Sequence, residues 1–157
     1  MLKEGDPAPL FDLPSDDGGR LALKALRGRS IVLYFYPKDD TEGCTIEAKE
    51  FSDLGDAFAR AGAVVVGISP DSPKSHDKFK CKHGLDLLLA SDEDKAVAGA
   101  YGVWVEKSMY GRTFMGVERT TFLISPKGRI LRIWRKVRPK GHAEAVLAAL
   151  TDVGKSA

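Results

Sequence analysis

The chain has 157 residues, 43% of them apolar and 29% charged, which suits one globular domain with a single core and is too short for two ordinary ones. Its 24 basic and 22 acidic residues leave a formal net charge of +2, too even a balance to point to nucleic acid or an anionic membrane as partner. No apolar run approaches the roughly 18 residues of a membrane span. The opening Met1-Leu2-Lys3-Glu4-Gly5-Asp6-Pro7 lacks the apolar stretch of a secretory signal, so a cytoplasmic protein is expected.

Residues 3–14 carry Pro7, Pro9 and Pro14 around Leu10-Phe11-Asp12-Leu13, which predicts an extended segment with at best a short edge strand. Asp16-Asp17-Gly18-Gly19 is a turn, from which residues 19–23 return as the second arm of a small hairpin. The uninterrupted run from Ser30 to Tyr36 reads as a buried strand. A polar loop from Pro37 to Gly43 follows. A helix then runs from near Cys44 to Ala61, with Phe51, Leu54, Phe58 and Ala61 at helical spacing and Gly62 as its stop. Ala63 to Ser69 is an uninterrupted run rich in β-branched residues (Val64, Val65, Val66 and Ile68), as in a buried parallel strand. Strand, helix and strand in this order give a right-handed crossover, and the Pro37–Cys44 loop falls at the C-terminal strand end, where α/β proteins place their chemistry.

Ser72-Pro73 supplies an N-cap and a first-turn proline for a helix over about 73–83. Phe79 is its one large apolar residue, among Lys74, Asp77, Lys78, Lys80 and Lys82, so the helix is expected to be thinly anchored. Cys81 lies about 200° round from Phe79, on the solvent side, where local unfolding is cheap. Residues 87–90 form a third strand, and Ser91 caps a helix over about 93–101. Residues 103–118, with Trp104, Lys107, Met109, Tyr110 and Gly111, read as a long functional loop. Arg119 to Ser125 is a strand, and Ile130 to Val137 is its hairpin partner beyond Pro126-Lys127-Gly128. Gly141-His142 opens a last helix through Val146, Leu147 and Leu150, with a frayed tail from Thr151. The class is α/β, a central mixed sheet flanked by helices with an N-terminal hairpin extension.

With Thr41 as N-cap, Cys44 stands in the first turn of its helix. Unpaired backbone N–H groups and the positive end of the helix dipole favour a thiolate there, the nucleophilic form. A lone cysteine in a small domain is more often an apolar filler, but this one follows a glycine and a polar loop. Two cysteines make no disulfide scaffold of the secreted kind, and two working thiols in a reducing compartment is the simpler reading. The chain has no Cys-x-x-Cys pair, which a thioredoxin-like disulfide reductase requires. His76, Asp77, Cys81 and His83 match no zinc spacing, and no metal site is expected. A non-enzymatic binding or chaperone role is the alternative from another class, and it would leave Cys44 dispensable.

Pro37-x-x-x-Thr41-x-x-Cys44 resembles the active-site signature of the peroxiredoxins, thiol peroxidases of thioredoxin-like fold. Tyr101-Gly102-Val103-Trp104, Glu106-Lys107-x-Met109-Tyr110-Gly111, Gly116 to Leu123, and Arg135-Lys136-Val137 with Gly141-His142-Ala143 are similar to the Q-type subfamily, the bacterioferritin comigratory proteins. The resemblance covers nearly the whole chain. It implies a thioredoxin-like domain, a hydroperoxide substrate, no cofactor, a thioredoxin- or glutaredoxin-type reductant and a monomer. Cys44 becomes the nucleophile that passes through a sulfenic acid. Thr41 holds the peroxide in line with it, and Pro37, which has no N–H, walls it from water. Such a site calls for a fixed guanidinium. Composition does not choose among the arginines; the resemblance selects Arg119. Glu47, one turn after Cys44, either orients Arg119 or is an ordinary solvated helix residue.

Many Q-type members carry a resolving cysteine five residues after the nucleophile, where this chain has Lys49. Others are believed to use one on the next helix, which here is Cys81. A disulfide needs Cα atoms within about 7 Å, so the 73–83 helix, with or without the first turn at Cys44, is expected to unwind during turnover. In the alternative an external thiol resolves Cys44 and Cys81 is a bystander.

Overall fold

In the computed structural model, which describes residues 1–156, Asp12–Pro14 (β1) and Arg20–Ala22 (β2) pair antiparallel as the expected small hairpin. A 3-10 turn at Leu23–Leu26 leads into β3 (Ser30–Phe35). Side chains of β3 alternate between two apolar layers: Ile31, Leu33 and Phe35 to one, Val32 and Tyr34 to the other. That double burial is why its sequence shows no polar interruption.

The single helix expected to reach Ala61 is two, α1 (Glu42–Asp53) and α2 (Gly55–Arg60), which break at Leu54 (φ −93°, ψ 8°). Gly55 stands at the break, and glycine is a poor helix former. The apolar periodicity runs on across it because Phe51 and Phe58 pack on each other, ring centroids 5.8 Å apart. Strand β4 (Ala63–Ser69) pairs parallel with β3, and α3 (Pro73–His83) follows, capped by the Ser72 hydroxyl and closed by Gly84 at φ 60°. Strand β5 (Leu88–Ser91) pairs parallel with β4.

Ser91 does not cap the next helix; it ends β5. The N-cap position is Lys95, at φ 61°; the Asp92 carboxylate reaches past it to accept from Val97 and Ala98 N–H, and α4 is only Ala96–Ala100. The loop expected over 103–118 is instead a hairpin, β6 (Trp104–Met109) and β7 (Arg112–Val117), turned by Tyr110 and Gly111, both at positive φ. Strand β8 (Thr120–Ile124) pairs antiparallel with β3, and β9 (Ile130–Trp134), shorter than expected, pairs with β8. The last helix, α5 (His142–Ser156), continues through Thr151 rather than fraying there; Ala157 lies outside the described residues.

The main sheet has the order β5-β4-β3-β8-β9. One face carries Phe11, Leu23, Tyr101 and Val117; the other carries the core residues of α1, α2, α3 and α5. This is the expected mixed α/β sheet flanked by helices. Among the described residues no helix is long and apolar enough to cross a membrane.

Candidate active site

The loop after β3 leaves the sheet between a buried Tyr36 and a half-buried Pro37, and Thr41 (φ −90°, ψ 159°) is the residue from which α1 starts. Cys44 is therefore the third residue of α1, in its first turn. It begins the buried stripe of that helix, Cys44, Glu47, Ala48 and Phe51, and is only 1% exposed. A sulfur with such surroundings feels unpaired backbone N–H groups on one side and apolar packing on the other.

Arg119, in the link between β7 and β8, reaches the same point. Its Nη2 donates to Cys44 Sγ at 3.3 Å, and its Nη1 donates to Glu47 Oε1 at 2.7 Å. Glu47 is buried, not solvated, and its second oxygen meets no donor among the described residues. Burial pushes its carboxyl up to about 7 against the downward pull of Arg119. Burial also opposes the charge on Arg119, but Glu47 and Cys44 outweigh it and hold the guanidinium firmly charged. Gly43 makes the approach possible: a Cβ there would sit 3.1 Å from Arg119 Nη2.

Thr41 does not cap α1 with its side chain; its hydroxyl donates to Lys38 O at 2.9 Å. With its hydrogen committed there, the Thr41 oxygen is left as an acceptor.

The AhpC/TSA family profile matches residues 4–133. The chain belongs to the AhpC/TSA family. Within that family it is similar to Peroxiredoxin Bcp of Bacillus subtilis, 46% identical over 154 residues that span 98% of each chain. It is likewise similar to Peroxiredoxin Bcp of Xanthomonas campestris, 51% identical over 146 residues, 92% of this chain and 91% of the relative. Among solved structures, peroxiredoxin Q of Xanthomonas campestris aligns with a TM-score of 0.87 at 48% identity over 90% of each chain. A mutant of Xylella fastidiosa PrxQ aligns with a TM-score of 0.93 at 39% identity over 98% of each. The thioredoxin-like fold and the Q-type peroxiredoxin kinship follow, and with them thiol-dependent peroxidase activity.

In this peroxiredoxin the second cysteine stands apart. Both thiols are free; Cys81 is exposed on α3 while Cys44 is buried. Helix α3 is held more firmly than its apolar content suggests, because His76 is fully buried beside Phe79 and bonds to Asp39. His76 thus belongs to a buried polar network. The grouping of His76 with Asp77, Cys81 and His83 is not assembled: Asp77 and Cys81 face solvent.

Two residues that Arg119 influences, His142 and Lys107, were not legible as site residues. His142 Nε2 lies 2.8 Å from Thr121 Oγ1, and burial together with Arg119 lowers its pKa to about 4, so the ring is neutral at physiological pH. Lys107 on β6 is half-buried, and burial and Arg119 lower its pKa in turn. Its position on the hairpin is the feature that a loop reading of 103–118 could not supply. Glu47 had a signal: a carboxylate three residues after Cys44 and four before Phe51 sits at core spacing.

Proposed function

We propose that this peroxidase works through Cys44, resolved internally by Cys81. The observation that carries the reading is the 3.3 Å contact from Arg119 Nη2 to Cys44 Sγ in the first turn of a helix. The thiolate sulfur attacks the distal oxygen of ROOH, the O–O bond breaks, the alkoxide takes a proton from solvent and leaves as ROH, and the sulfur keeps the OH as a sulfenic acid. Arg119 stabilises charge on sulfur and on the leaving oxygen, Thr41 holds the peroxide, and Pro37 screens the sulfur from water. The Cys81 sulfur then attacks the sulfenic sulfur, and water leaves as the disulfide forms. A dithiol reductant of the thioredoxin or glutaredoxin type takes over that disulfide and is itself oxidised.

Hydrogen peroxide and organic hydroperoxides are the proposed substrates. Support for the second comes from a bacterioferritin comigratory protein of Xanthomonas campestris, studied for its alkyl peroxide reduction activity, which is 47% identical over 90% of this chain with a TM-score of 0.87. Two free thiols favour a reducing cytoplasm, and the Q-type kinship favours a monomer, which light scattering tests.

The deciding experiment adds one equivalent of hydrogen peroxide to the reduced protein and maps its peptides without reductant. A Cys44–Cys81 linked peptide formed within seconds, and cleaved by added thioredoxin, is the expected result. A sulfenic acid at Cys44 with free Cys81 assigns resolution to an external thiol, and two untouched cysteines overturn the site. In the same assay Cys44→Ser abolishes peroxide consumption, while Cys81→Ser completes one fast turnover and stalls.

A further inference from the structure

If Cys81 resolves Cys44, as proposed above, α3 must release it, and the contacts of α3 with the Cys44 loop decide how. Two consecutive carboxylates of that loop hold the helix at its two ends. Asp39, buried, serves the first turn: its Oδ2 accepts from Ser75 Oγ at 2.8 Å and lies 2.7 Å from His76 Nδ1, and its Oδ1 accepts from Tyr36 OH at 2.6 Å. His76 Nε2 lies 3.0 Å from the Ala90 carbonyl, which can only accept, so Nε2 carries a hydrogen. Nδ1 and the Asp39 carboxylate then share one further proton in a fully buried pair. The backbone of Asp39 is fixed as well, its N–H donating to Asp71 Oδ2 at 2.8 Å.

Asp40 serves the other end. Its Oδ1 lies 2.7 Å from His83 Nε2, and its Oδ2 accepts from Lys82 Nζ at 2.7 Å; its side chain is 42% exposed and that of Lys82 62%. These partners hold the Asp40 carboxyl below the usual carboxylate range. Cys81 lies in the half of α3 that Asp40 holds. A second ion pair of that half, Lys80 to Asp16 at 3.0 Å, does not involve the Cys44 loop. Between the two anchor points a cleft of about 570 Å³ separates loop from helix, and Phe79 is the one apolar side chain lining it. Beneath the cleft Phe79 packs against Tyr36, ring centroids 6.5 Å apart, and the two loop carboxylates themselves hold the helix by polar ties.

We infer that the two carboxylates act as an asymmetric clamp: Asp39 with His76 is the fixed pivot, and Asp40 is the release point. Cys81 is freed by unwinding α3 from its C-terminal turn while the first turns stay docked. A buried, mutually bonded network opens rarely, whereas an exposed ion pair is weak and screened by salt. Asp40, Asp39 and His76 are thus positioning residues for the resolving step, acting through the helix that carries Cys81.

Asp40→Asn is the test. Asparagine keeps the shape and tolerates the left-handed backbone of Asp40 (φ 60°). After one equivalent of hydrogen peroxide, stopped-flow should show an unchanged first phase, oxidation of Cys44, and a second phase, disulfide formation, that is about two- to fivefold faster. Lys82→Gln should give the same acceleration from the other side of the contact. Added salt should speed the second phase of the unaltered protein more than that of the variant, which keeps the Lys80–Asp16 pair in that half of α3. In hydrogen exchange on the reduced protein, Asp40→Asn should lose protection at residues 80–83 and keep it at residues 76–78. An unchanged second phase in both variants, a first phase altered as much as the second, or protection lost evenly along α3 overturns the clamp. Should the unaltered protein form no Cys44–Cys81 disulfide, the resolving role of Cys81 fails, and the exchange pattern, which needs no peroxide, still decides the clamp.

Discussion

At Gly43 the space that a methyl group would fill is taken by Arg119 Nη2 at 3.1 Å and Pro139 Cγ at 3.4 Å. Its φ is not in the left-handed region, and alanine suits a first helical turn, so the fold should accept Gly43→Ala. The expected result is an unchanged or slightly raised Tm together with peroxide attack about tenfold slower, because the guanidinium is pushed off its line to the sulfur. Stopped-flow rates beside a thermal melt separate the two effects; a normal rate would mean that the 3.3 Å contact does not matter to the chemistry. Arg119→Met should slow attack by about 10²–10³-fold and slow alkylation of Cys44 at neutral pH. An unchanged alkylation profile would remove Arg119 from the site. Cys44 could be nominated from its place at a helix start, and Pro37, Thr41 and Arg119 from the resemblance, because each contributes a side chain that a motif can record. Gly43 contributes an absence, and an absence becomes visible only once its neighbour is placed. Asp39 and His76 were illegible for a related reason: a polar residue buried by a partner some 37 positions away leaves no local period.

Strands with two buried faces were legible, as was a helix with an explicit start signal: β3 and β4 lie close to where their apolar runs put them, and α3 begins where Ser72-Pro73 put it. The β6–β7 hairpin was not, because it stands outside the main sheet with Met109, Tyr110, Phe114 and Met115 exposed, so burial imposes no alternation on it. Its turn places a tyrosine, not the usual asparagine or aspartate, at a positive φ of 52°. Gly67 shows the opposite situation, a pattern with a hidden constraint. A Cβ on that β4 residue would lie 2.8 Å from Tyr34 Cζ and 2.9 Å from Leu89 Cδ2. The Tyr34 ring lies across the strand there and stacks on Phe51 of α1 at 4.8 Å. Gly67→Ala should therefore cost about 1–3 kcal/mol by overpacking, read from urea melts, although alanine is the better strand residue by propensity alone. A neutral result would mean that the α1–sheet seam has slack.

For the molecule as a whole, Arg119 couples two buried groups whose pH effects oppose each other. Glu47, raised from 4.5 to about 7 chiefly by burial, holds its proton more tightly folded than unfolded, so its contribution to stability is full below pH 4.5 and is lost as pH rises to about 7. His142, lowered from 6.5 to about 4 by burial and by Arg119, behaves the other way: its contribution is full above pH 6.5 and is lost as pH falls toward 4. Relative to the unaltered protein, Glu47→Gln should gain on the order of 3 kcal/mol between pH 4.5 and 7. His142→Gln should lose ground over pH 4 to 6.5. Urea denaturation across that range checks both, and parallel curves would show that the two groups do not titrate on folding. The same guanidinium also sets an order of events in synthesis. Cys44 and Arg119 are 75 residues apart, and β3, the strand that leads to the thiol, gains its β8 neighbour only through pairs such as Ile31 with Ile124. A ribosome therefore delivers the sulfur long before the donor that faces it. Until β8 has been made and paired beside β3, the nascent thiol lacks the guanidinium that faces it in the finished fold.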